Sequence, residues 1–302
     1  MQKLTVLVTG ASGFIGSHLL PFLLKRQYKV IALTRQTNKS SQHPDLQWVT
    51  SFEQIQTQQI DYVINLAGEN IGQKRWSSER KQQLMNSRVN TTQRLYEWLQ
   101  QQQIFPKCII SGSAIGYYGI DPQEQWNTSC DENTPAQAIF MSELCQAWEQ
   151  TALKFSQQHT KIVRLGVVFG QGGGILQQML LPIRLNAAGK IGSGQQPVVW
   201  IHIQDVLSAI VFLLDSNSAQ KVYNLVAPEQ TNQQQFVKIA SKILKRKPFI
   251  SLPKFVFELA LGEQSQLILN GQYVQPKALQ ALGFEFKYPT LDMALGEILL
   301  DD

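Results

Sequence analysis

The chain has 302 residues, about twice the usual size of a single domain, which predicts one large α/β domain or two lobes. Apolar residues make up 43% of it, which excludes intrinsic disorder. The net charge of +5 comes from 27 basic and 22 acidic residues, and the densest basic run is only Lys245-Arg246-Lys247. This balance favours a small anionic partner over a nucleic acid.

Cysteine, histidine and apolar spacing exclude several further classes of protein. Three cysteines without a CxxC pair predict no disulfide framework, and four scattered histidines predict no metal site. The apolar run at the N-terminus meets a glycine turn too early for a signal peptide, and no apolar stretch reaches the length of about 18 residues that a membrane span requires. We therefore predict a cytoplasmic protein with no metal, no nucleic-acid partner and no membrane partner.

Short apolar runs rich in β-branched residues alternate with amphipathic segments of helical length. In chain order, the predicted strands are Leu4–Thr9, Lys29–Leu33, Tyr62–Leu66, Cys108–Ile110, Ile162–Phe169 and Val222–Val226, and the predicted helices are Phe14–Lys25, Glu79–Gln102, Phe140–Gln157 and Val206–Asp215. Continuous apolar strands separated by helices are typical of a parallel sheet that is covered on both faces. The predicted fold class is α/β, with a Rossmann-type doubly wound parallel sheet.

The pattern changes after about residue 229. Gln233–Lys245 reads as a helix, and prolines then divide short helical pieces with little strand character. A second insertion begins at the Gly172–Gly174 run, which opens a predicted helix through Arg184. We predict a nucleotide-binding Rossmann domain from residues 1–170 and 198–228, and a smaller, mostly helical lobe on the substrate side from 171–197 and 229–302.

A glycine-rich turn directly follows the first predicted strand and opens the first helix. Its spacing is GxxGxxG: Gly10 makes the tight turn, Gly13 lets backbone N–H groups approach a pyrophosphate, and Gly16 lets the helix pack close to the sheet. The helix N-terminus adds positive potential for the phosphates. The turn therefore predicts dinucleotide binding. The expected contacts are Gly10, Ser12, Gly13, Phe14, Ile15 and Gly16.

The end of the second strand bears on which dinucleotide is bound. NAD-binding chains usually place Asp or Glu there to accept a hydrogen bond from the ribose 2′-hydroxyl, whereas this chain has Thr34-Arg35. A guanidinium group can pair with a 2′-phosphate. We therefore favour NADP over NAD and assign Thr34 and Arg35 to the cofactor site, although a solvated surface arginine would produce the same pattern.

Several further motifs resemble the extended short-chain dehydrogenase/reductase superfamily. They follow in order along nearly the whole chain: Thr9–Gly16, Asp61–Gly68, Arg75-Trp76, Ser87-Arg88, Ser111–Ala114, Gly116–Gly119, Gly192–Gly194, Trp200–Asp205, Leu269–Gln272, Val274–Pro276 and Gly283–Phe286. The chain is most similar to an atypical, epimerase-like subgroup with a short C-terminal domain of uncharacterised function. The resemblance implies cofactor contacts at Leu66, Ala67, Gly68, Arg88 and Val168.

The usual chemistry of this superfamily depends on a serine or threonine and a Tyr-x-x-x-Lys pair on one helix face. The lysine lowers the pKa of the tyrosine, which then relays a proton as hydride moves to or from the nicotinamide. The corresponding positions here are Phe140 and Leu144, and neither side chain can exchange a proton. The usual pair is therefore absent.

Four other residues are candidates for proton transfer. Ser113 matches the usual serine. Tyr117 lies shortly after it in the sequence, and its phenol group could exchange a proton. Glu143 would serve as a base if it were buried, and His202 faces away from its apolar neighbours in a strand, towards either the substrate cleft or a buried polar contact. We expect Asp205 to cap the helix that follows.

Two functions therefore fit the sequence. One is an NADP(H)-binding oxidoreductase or epimerase-like enzyme that acts on a small polar molecule such as a nucleotide sugar. The other is a catalytically silent protein that senses NADP(H), a hypothesis favoured by Phe140 and Leu144. No motif specifies the substrate, the direction of a redox step or the oligomeric state.

Overall fold

A seven-stranded parallel sheet forms the centre of the computed structural model, which describes residues 3–57 and 59–300. The strands are β1 Thr5–Thr9, β2 Lys29–Leu33, β3 Leu46–Val49, β4 Tyr62–Asn65, β5 Cys108–Ala114, β6 Ser129–Cys130, β7 Thr160–Leu165, β8 Val167–Phe169, β9 Ala188–Ile191, β10 Pro197–Val198, β11 Trp200–His202, β12 Val222–Leu225, β13 Thr231–Asn232, β14 Ile250–Leu252 and β15 Tyr273–Val274. The central sheet has the order β12-β7-β5-β4-β1-β2-β3. All its neighbouring strands are parallel, so their carboxyl ends share one edge.

Helices cover both faces of this sheet. They are α1 Phe14–Lys25, α2 Ser78–Gln101, α3 Phe140–Leu153, α4 Leu176–Arg184, α5 Ile203–Asp215, α6 Gln233–Ile243, α7 Lys254–Leu261, α8 Gln266–Leu269, α9 Lys277–Ala281 and α10 Leu291–Leu300, with 3-10 turns at Phe52–Gln54, Ile115–Tyr118 and Gly262–Ser265. Apolar residues of α1 and α5 pack on one face, and those of α2 and α3 on the other. The predicted Rossmann-type doubly wound fold is confirmed.

Two predictions about the strands differ from the structure. Leu46–Val49 forms an edge strand that the apolar pattern did not predict. The long run predicted as one strand divides at Gly166, where a Cβ atom would lie 3.0 Å from the Val199 carbonyl oxygen. Glycine permits this bend, so that Val167–Phe169 leaves the central sheet and pairs with Trp200–His202.

A second hydrophobic core joins the helices of the smaller lobe to β8 and β11. Helices α4, α6 and α10 contribute to it, and it includes the fully buried side chains of Leu180, Phe236 and Leu295. Helix α6 begins with a capping box between Asn232 and Gln235, which satisfies backbone N–H groups at its start. The predicted helical lobe is therefore present, with short strand pairs in addition, while its exact residue boundaries stay a prediction. Within residues 3–57 and 59–300, no helix has the length and apolar character needed to cross a bilayer.

Candidate functional site

The glycine turn between β1 and α1 is closely packed. Gly10 has φ +67°, and a Cβ atom there would lie 2.6 Å from the Leu66 carbonyl oxygen. A Cβ atom at Gly16 would lie 2.6 Å from the Ala11 carbonyl oxygen. Gly13 is the N-cap of α1 and supplies no side-chain cap, so the first N–H groups of the helix stay available to a ligand. This geometry matches the cradle that a pyrophosphate requires.

The end of β2 lies beside this turn. The hydroxyl oxygens of Ser12 and Thr34 are 2.9 Å apart, which links the glycine turn to the second strand. The Arg35 side chain is 87% exposed, and its guanidinium group lies 3.6 Å from the Glu69 carboxylate. The structure therefore brings the predicted residues of the first two strand ends to one place and adds an acidic residue that the sequence reasoning missed.

The segment after β4 completes this edge of the sheet. Leu66–Gly68 runs directly beneath the glycine turn, and the Arg88 guanidinium packs on Gly68, where a Cβ atom would be 3.2 Å from Cζ. Arg88 donates hydrogen bonds to the Glu69 carbonyl at 2.9 Å and to the Leu84 carbonyl at 3.3 Å. In this structure Arg88 stabilises the backbone of the segment that follows β4. Direct contact between Arg88 and a cofactor stays a prediction.

Phe14 and Val168 lie where the second lobe meets the glycine turn. The Phe14 ring contacts the backbone of Gly173 and Gly174, where added Cβ atoms would lie 2.6 and 3.1 Å from it. Ile15 and Val168 are partly buried against the same core as Phe14. The glycine-rich segment after β8 therefore covers one side of the turn.

A buried network of hydrogen bonds lies at the carboxyl ends of β5, β7 and β12. Ser113 donates to Glu149 Oε1 at 2.6 Å. Arg164 donates to both oxygens of Glu149 at 2.8 Å and to the Tyr118 hydroxyl at 2.9 Å. Tyr118 in turn donates to Asn224 Oδ1 at 2.7 Å. We call these five residues the Glu149 network; the hydroxyl protons of both Ser113 and Tyr118 are engaged by protein acceptors.

Tyr117 lies at the outer side of the Glu149 network. Its ring stacks on the Arg164 guanidinium, with 3.4 Å between Cζ and the ring centroid, and the side chain is half-buried. Among the described residues its hydroxyl makes no hydrogen bond, in contrast to Tyr118. Burial raises the pKa of Tyr118 to about 12, so that phenol keeps its proton. Of the two neighbouring phenols, Tyr117 is the one available to a ligand.

The two positions of the missing Tyr-x-x-x-Lys pair contribute to hydrophobic packing. Phe140 begins α3 as predicted and packs edge-on against Trp76, with ring centroids 5.3 Å apart. Leu144 is 1% exposed and packs with Leu84. Cys145 is also buried, and burial raises the pKa of its thiol to about 11, as expected of a core residue rather than a nucleophile.

The structure corrects one expectation about a proton-transfer candidate and one about a helix N-cap. Glu143 is exposed on α3, so the condition of burial under which it would act as a base is not met. Asp205 does not cap α5; its carboxylate accepts the backbone N–H groups of Lys287 and Tyr288 at 2.7 and 3.0 Å. The N-cap is His202, whose Nδ1 accepts the N–H of Gln204 at 3.2 Å, so α5 starts at Ile203, three residues earlier than predicted.

The second ring nitrogen of His202, Nε2, contacts the C-terminal helix α10. His202 is 1% exposed, and Nε2 lies 3.0 Å from Glu297 of α10. Its ring also packs on Tyr288, with centroids 3.9 Å apart. The structure therefore places His202 in the contact with the C-terminal helix, at the end of β11, which pairs with β8 outside the central sheet.

With this geometry established, comparisons with known proteins assign the family. The profile of the NAD dependent epimerase/dehydratase family matches residues 6–226, which is most of the chain. The chain belongs to this family. Residues 252–298 match a domain of unknown function, DUF1731. An epimerase family protein of Staphylococcus epidermidis is 37% identical over 298 residues, which cover 97% of this chain and 98% of the relative. The resemblance drawn from the motifs is confirmed.

Solved structures of other proteins share the Rossmann-type fold of this epimerase/dehydratase family member. The human epimerase family protein SDR39U1 (isoform 2), crystallised with NADPH, has a TM-score of 0.86 at 33% identity, and the match covers 99% of this chain and 100% of that one. A dTDP-glucose 4,6-dehydratase from Bacillus anthracis, in complex with NAD, has a TM-score of 0.77 at 19% identity, covering 98% and 96% of the two chains. The second likeness shows the shared fold alone.

Among the described residues of this epimerase/dehydratase family member, two cavities are large enough to hold a small molecule. One of about 640 Å³ lies at the amino ends of the strands, next to Tyr62 and Lys161, at the edge opposite the glycine turn. The other, of about 380 Å³, lies between Trp126, Tyr273 and Gln195. The second is lined in part by the segment 171–197, which we predict on the substrate side, and is the better candidate for a substrate. No cluster of metal-binding side chains occurs in the part of the chain that the structure describes.

The contact between His202 and α10 predicts a pH-dependent stability. Burial lowers the pKa of His202 below its ordinary value of 6.5, against the opposing effect of Glu297. The unfolded chain therefore binds this proton first as the pH falls below about 6.5, and folding stability decreases by up to about 1.4 kcal/mol per pH unit until the folded-state pKa is reached. Thermal unfolding from pH 7.5 to 5 should show this loss.

The matching variant is His202→Gln, which keeps a donor for Glu297 and an acceptor for the helix N-terminus. Its unfolding temperature should depend less on pH than that of the wild type in this range. His43→Gln, at an exposed histidine, serves as the control and should retain the wild-type dependence. If the wild type and His202→Gln had identical pH profiles, the loss of stability at low pH would not come from His202.

Proposed function

We propose that this epimerase/dehydratase family member binds NADP(H) and uses it in a redox step on a small polar substrate. The observation that carries the proposal is the glycine turn, whose packing at Gly10 and Gly16 leaves the first N–H groups of α1 available, with Arg35 beside it. NADPH in the human relative supports the same cofactor. When bound, NADP(H) would supply the hydride acceptor or donor.

Residues of three strand ends would hold the cofactor. Gly10–Gly16 would receive the pyrophosphate, Thr34 and Arg35 the ribose with its 2′-phosphate, and Leu66–Gly68 the adenosine side of the site, with Arg88 fixing the backbone of that segment. Val168 would pack near the nicotinamide. These assignments rest on where the side chains lie relative to the carboxyl edge of the sheet.

The Glu149 network assigns different tasks to the two hydroxyl candidates. Because Ser113 gives its proton to Glu149, its oxygen can accept a hydrogen bond from a substrate hydroxyl but has no proton to give to a substrate carbonyl. Tyr117 would then exchange a proton with the substrate, because no group of the described residues engages its hydroxyl and its ring is held in place on the Arg164 guanidinium. The cleft at Trp126 and Tyr273 would hold the rest of the substrate.

The cofactor proposal is tested by reversing the charge of Arg35. In Arg35→Glu, a carboxylate would repel the 2′-phosphate, so we expect NADPH affinity to fall about 10- to 100-fold while NADH affinity changes little. Calorimetric titration of the purified protein with each nucleotide measures both. Arg94→Glu, an equal charge reversal at an exposed position of α2, should leave both affinities near the wild-type values. An equal loss for both nucleotides would contradict the role of Arg35.

A second candidate function is NADP(H) sensing without catalysis. The packing of Phe140 and Leu144 favours it, because neither position retains a group that exchanges a proton. A screen of small polar substrates, including nucleotide sugars, with wild-type protein and Tyr117→Phe separates the two functions. Turnover that Tyr117→Phe abolishes supports the enzyme, whereas tight NADPH binding with no turnover across the screen supports the sensor.

We also propose a cytoplasmic location and a small-molecule partner rather than a nucleic acid or a membrane. Cys108, Cys130 and Cys145 are all buried as free thiols, which is typical of a reducing compartment. Association with DNA or RNA that weakens with added salt would contradict the absence of a nucleic-acid partner.

A further inference from the structure

Glu69, which follows β4, is held at three points by α2. Its N–H donates to the Ser87 hydroxyl at 3.2 Å, and its carbonyl accepts from Arg88 at 2.9 Å. Its carboxylate forms a close ion pair with Arg80, a residue that is only 6% exposed. The Glu69 carboxylate is therefore fixed in position by the protein, independently of any ligand.

The other oxygen of the same carboxylate faces Arg35. The two groups are 3.6 Å apart, and the Arg35 side chain is 87% exposed, so Arg35 is the partner that is free to move. Arg80 holds the pKa of Glu69 below its ordinary value, so the carboxylate is charged at neutral pH. An acceptor for a ribose hydroxyl and a cation for a phosphate thus stand together, although the sequence near the end of β2 shows only the cation.

We propose that Glu69 is a specificity-determining residue that limits the preference of this protein for NADP(H) over NAD(H). The inference rests on the proposed function, in which Arg35 binds the 2′-phosphate. To do so, Arg35 must leave Glu69, and the phosphate must approach a fixed carboxylate of like charge. NAD(H) has a hydroxyl at this position, which can donate to Glu69 instead. Arg35 and Glu69 therefore favour opposite cofactors.

The test is Glu69→Gln, which keeps the shape of the side chain and an acceptor for Arg80. Calorimetry with NADPH and with NADH gives two dissociation constants on the same protein, and their ratio is insensitive to a loss of folded material. We expect the preference for NADPH to rise about 3- to 10-fold, through tighter NADPH binding, weaker NADH binding or both. Glu285→Gln, at an exposed carboxylate in the C-terminal segment, controls for the change in net charge and should leave the ratio unchanged.

A second pair of variants tests whether Glu69 acts through Arg35. In an Arg35→Gln background, Glu69→Gln should still raise the preference for NADPH, but by less than in the wild type. The competition for the guanidinium is gone, whereas the repulsion of the phosphate and the hydrogen bond to the ribose hydroxyl remain. An unchanged or reduced NADPH preference in Glu69→Gln overturns the inference while the proposed function stands. If the wild-type protein binds neither nucleotide, the proposed function itself is overturned.

Discussion

Replacing Glu149 with alanine is expected to lower the free energy of unfolding by about 3–5 kcal/mol. Glu149 is 5% exposed and accepts two hydrogen bonds from Arg164, which is 3% exposed. Removing the carboxylate leaves the Arg164 charge buried without its counter-ion and also removes the acceptor of Ser113. The desolvation of that cation has already occurred on folding, so the loss of its partner is costly. Urea unfolding followed by circular dichroism measures the change.

Two further variants make the Glu149 result specific. Glu143→Ala, at an exposed carboxylate on the same helix, should change the free energy of unfolding by no more than about 0.5 kcal/mol. The double variant Glu149→Leu/Arg164→Met replaces both charges with apolar groups of similar size and should recover most of the lost stability. A loss below about 1 kcal/mol in Glu149→Ala would show that the ion pair is not essential to the fold.

The Glu149 network also shows which features of the protein could be predicted from the sequence and which could not. Local patterns predicted the sheet, its flanking helices and the glycine turn, because each depends on side-chain periodicity or on conformational freedom within a few residues. Arg164 carried a usable signal, since a charged residue inside an otherwise apolar strand requires a partner. The identity of that partner had no local signal: Glu149 lies on α3, and only the packing of α3 on β7 brings the two together.

The same limit explains why the sequence did not show Glu69 beside the second strand end, and why the start of α5 was predicted wrongly. The sequence after β2 has no carboxylate, as predicted, but Glu69 brings one to the same place from the end of β4, on the other side of β1. His202 and Asp205 both suit a helix start, and the choice between them depends on the C-terminal segment, whose backbone engages Asp205 at Lys287. Both the acidic residue beside β2 and the N-cap of α5 therefore depend on contacts between residues that are distant in sequence.

The glycine turn has no room for a side chain at Gly16. A methyl group at Gly16 is expected to weaken NADPH binding about 100-fold, which corresponds to about 2.7 kcal/mol. The added Cβ would overlap the Gly10 carbonyl oxygen and lie 2.6 Å from that of Ala11, so either the turn or the start of α1 must move. Both carry the backbone amides that we propose for the pyrophosphate. The change is measured by calorimetric titration of Gly16→Ala with NADPH.

The matched control for Gly16→Ala is Gly296→Ala in α10. Both glycines lie in helices, and alanine is favoured over glycine by about 1 kcal/mol at a helix interior. At Gly296 a Cβ atom would meet nothing within 4 Å, so this variant should be slightly stabilised and bind NADPH as the wild type does. Helix propensity acts in the same direction at both sites, and the difference between the variants therefore isolates the contact between α1 and the turn. Wild-type NADPH affinity in Gly16→Ala would show that this close packing is not needed to hold the cofactor.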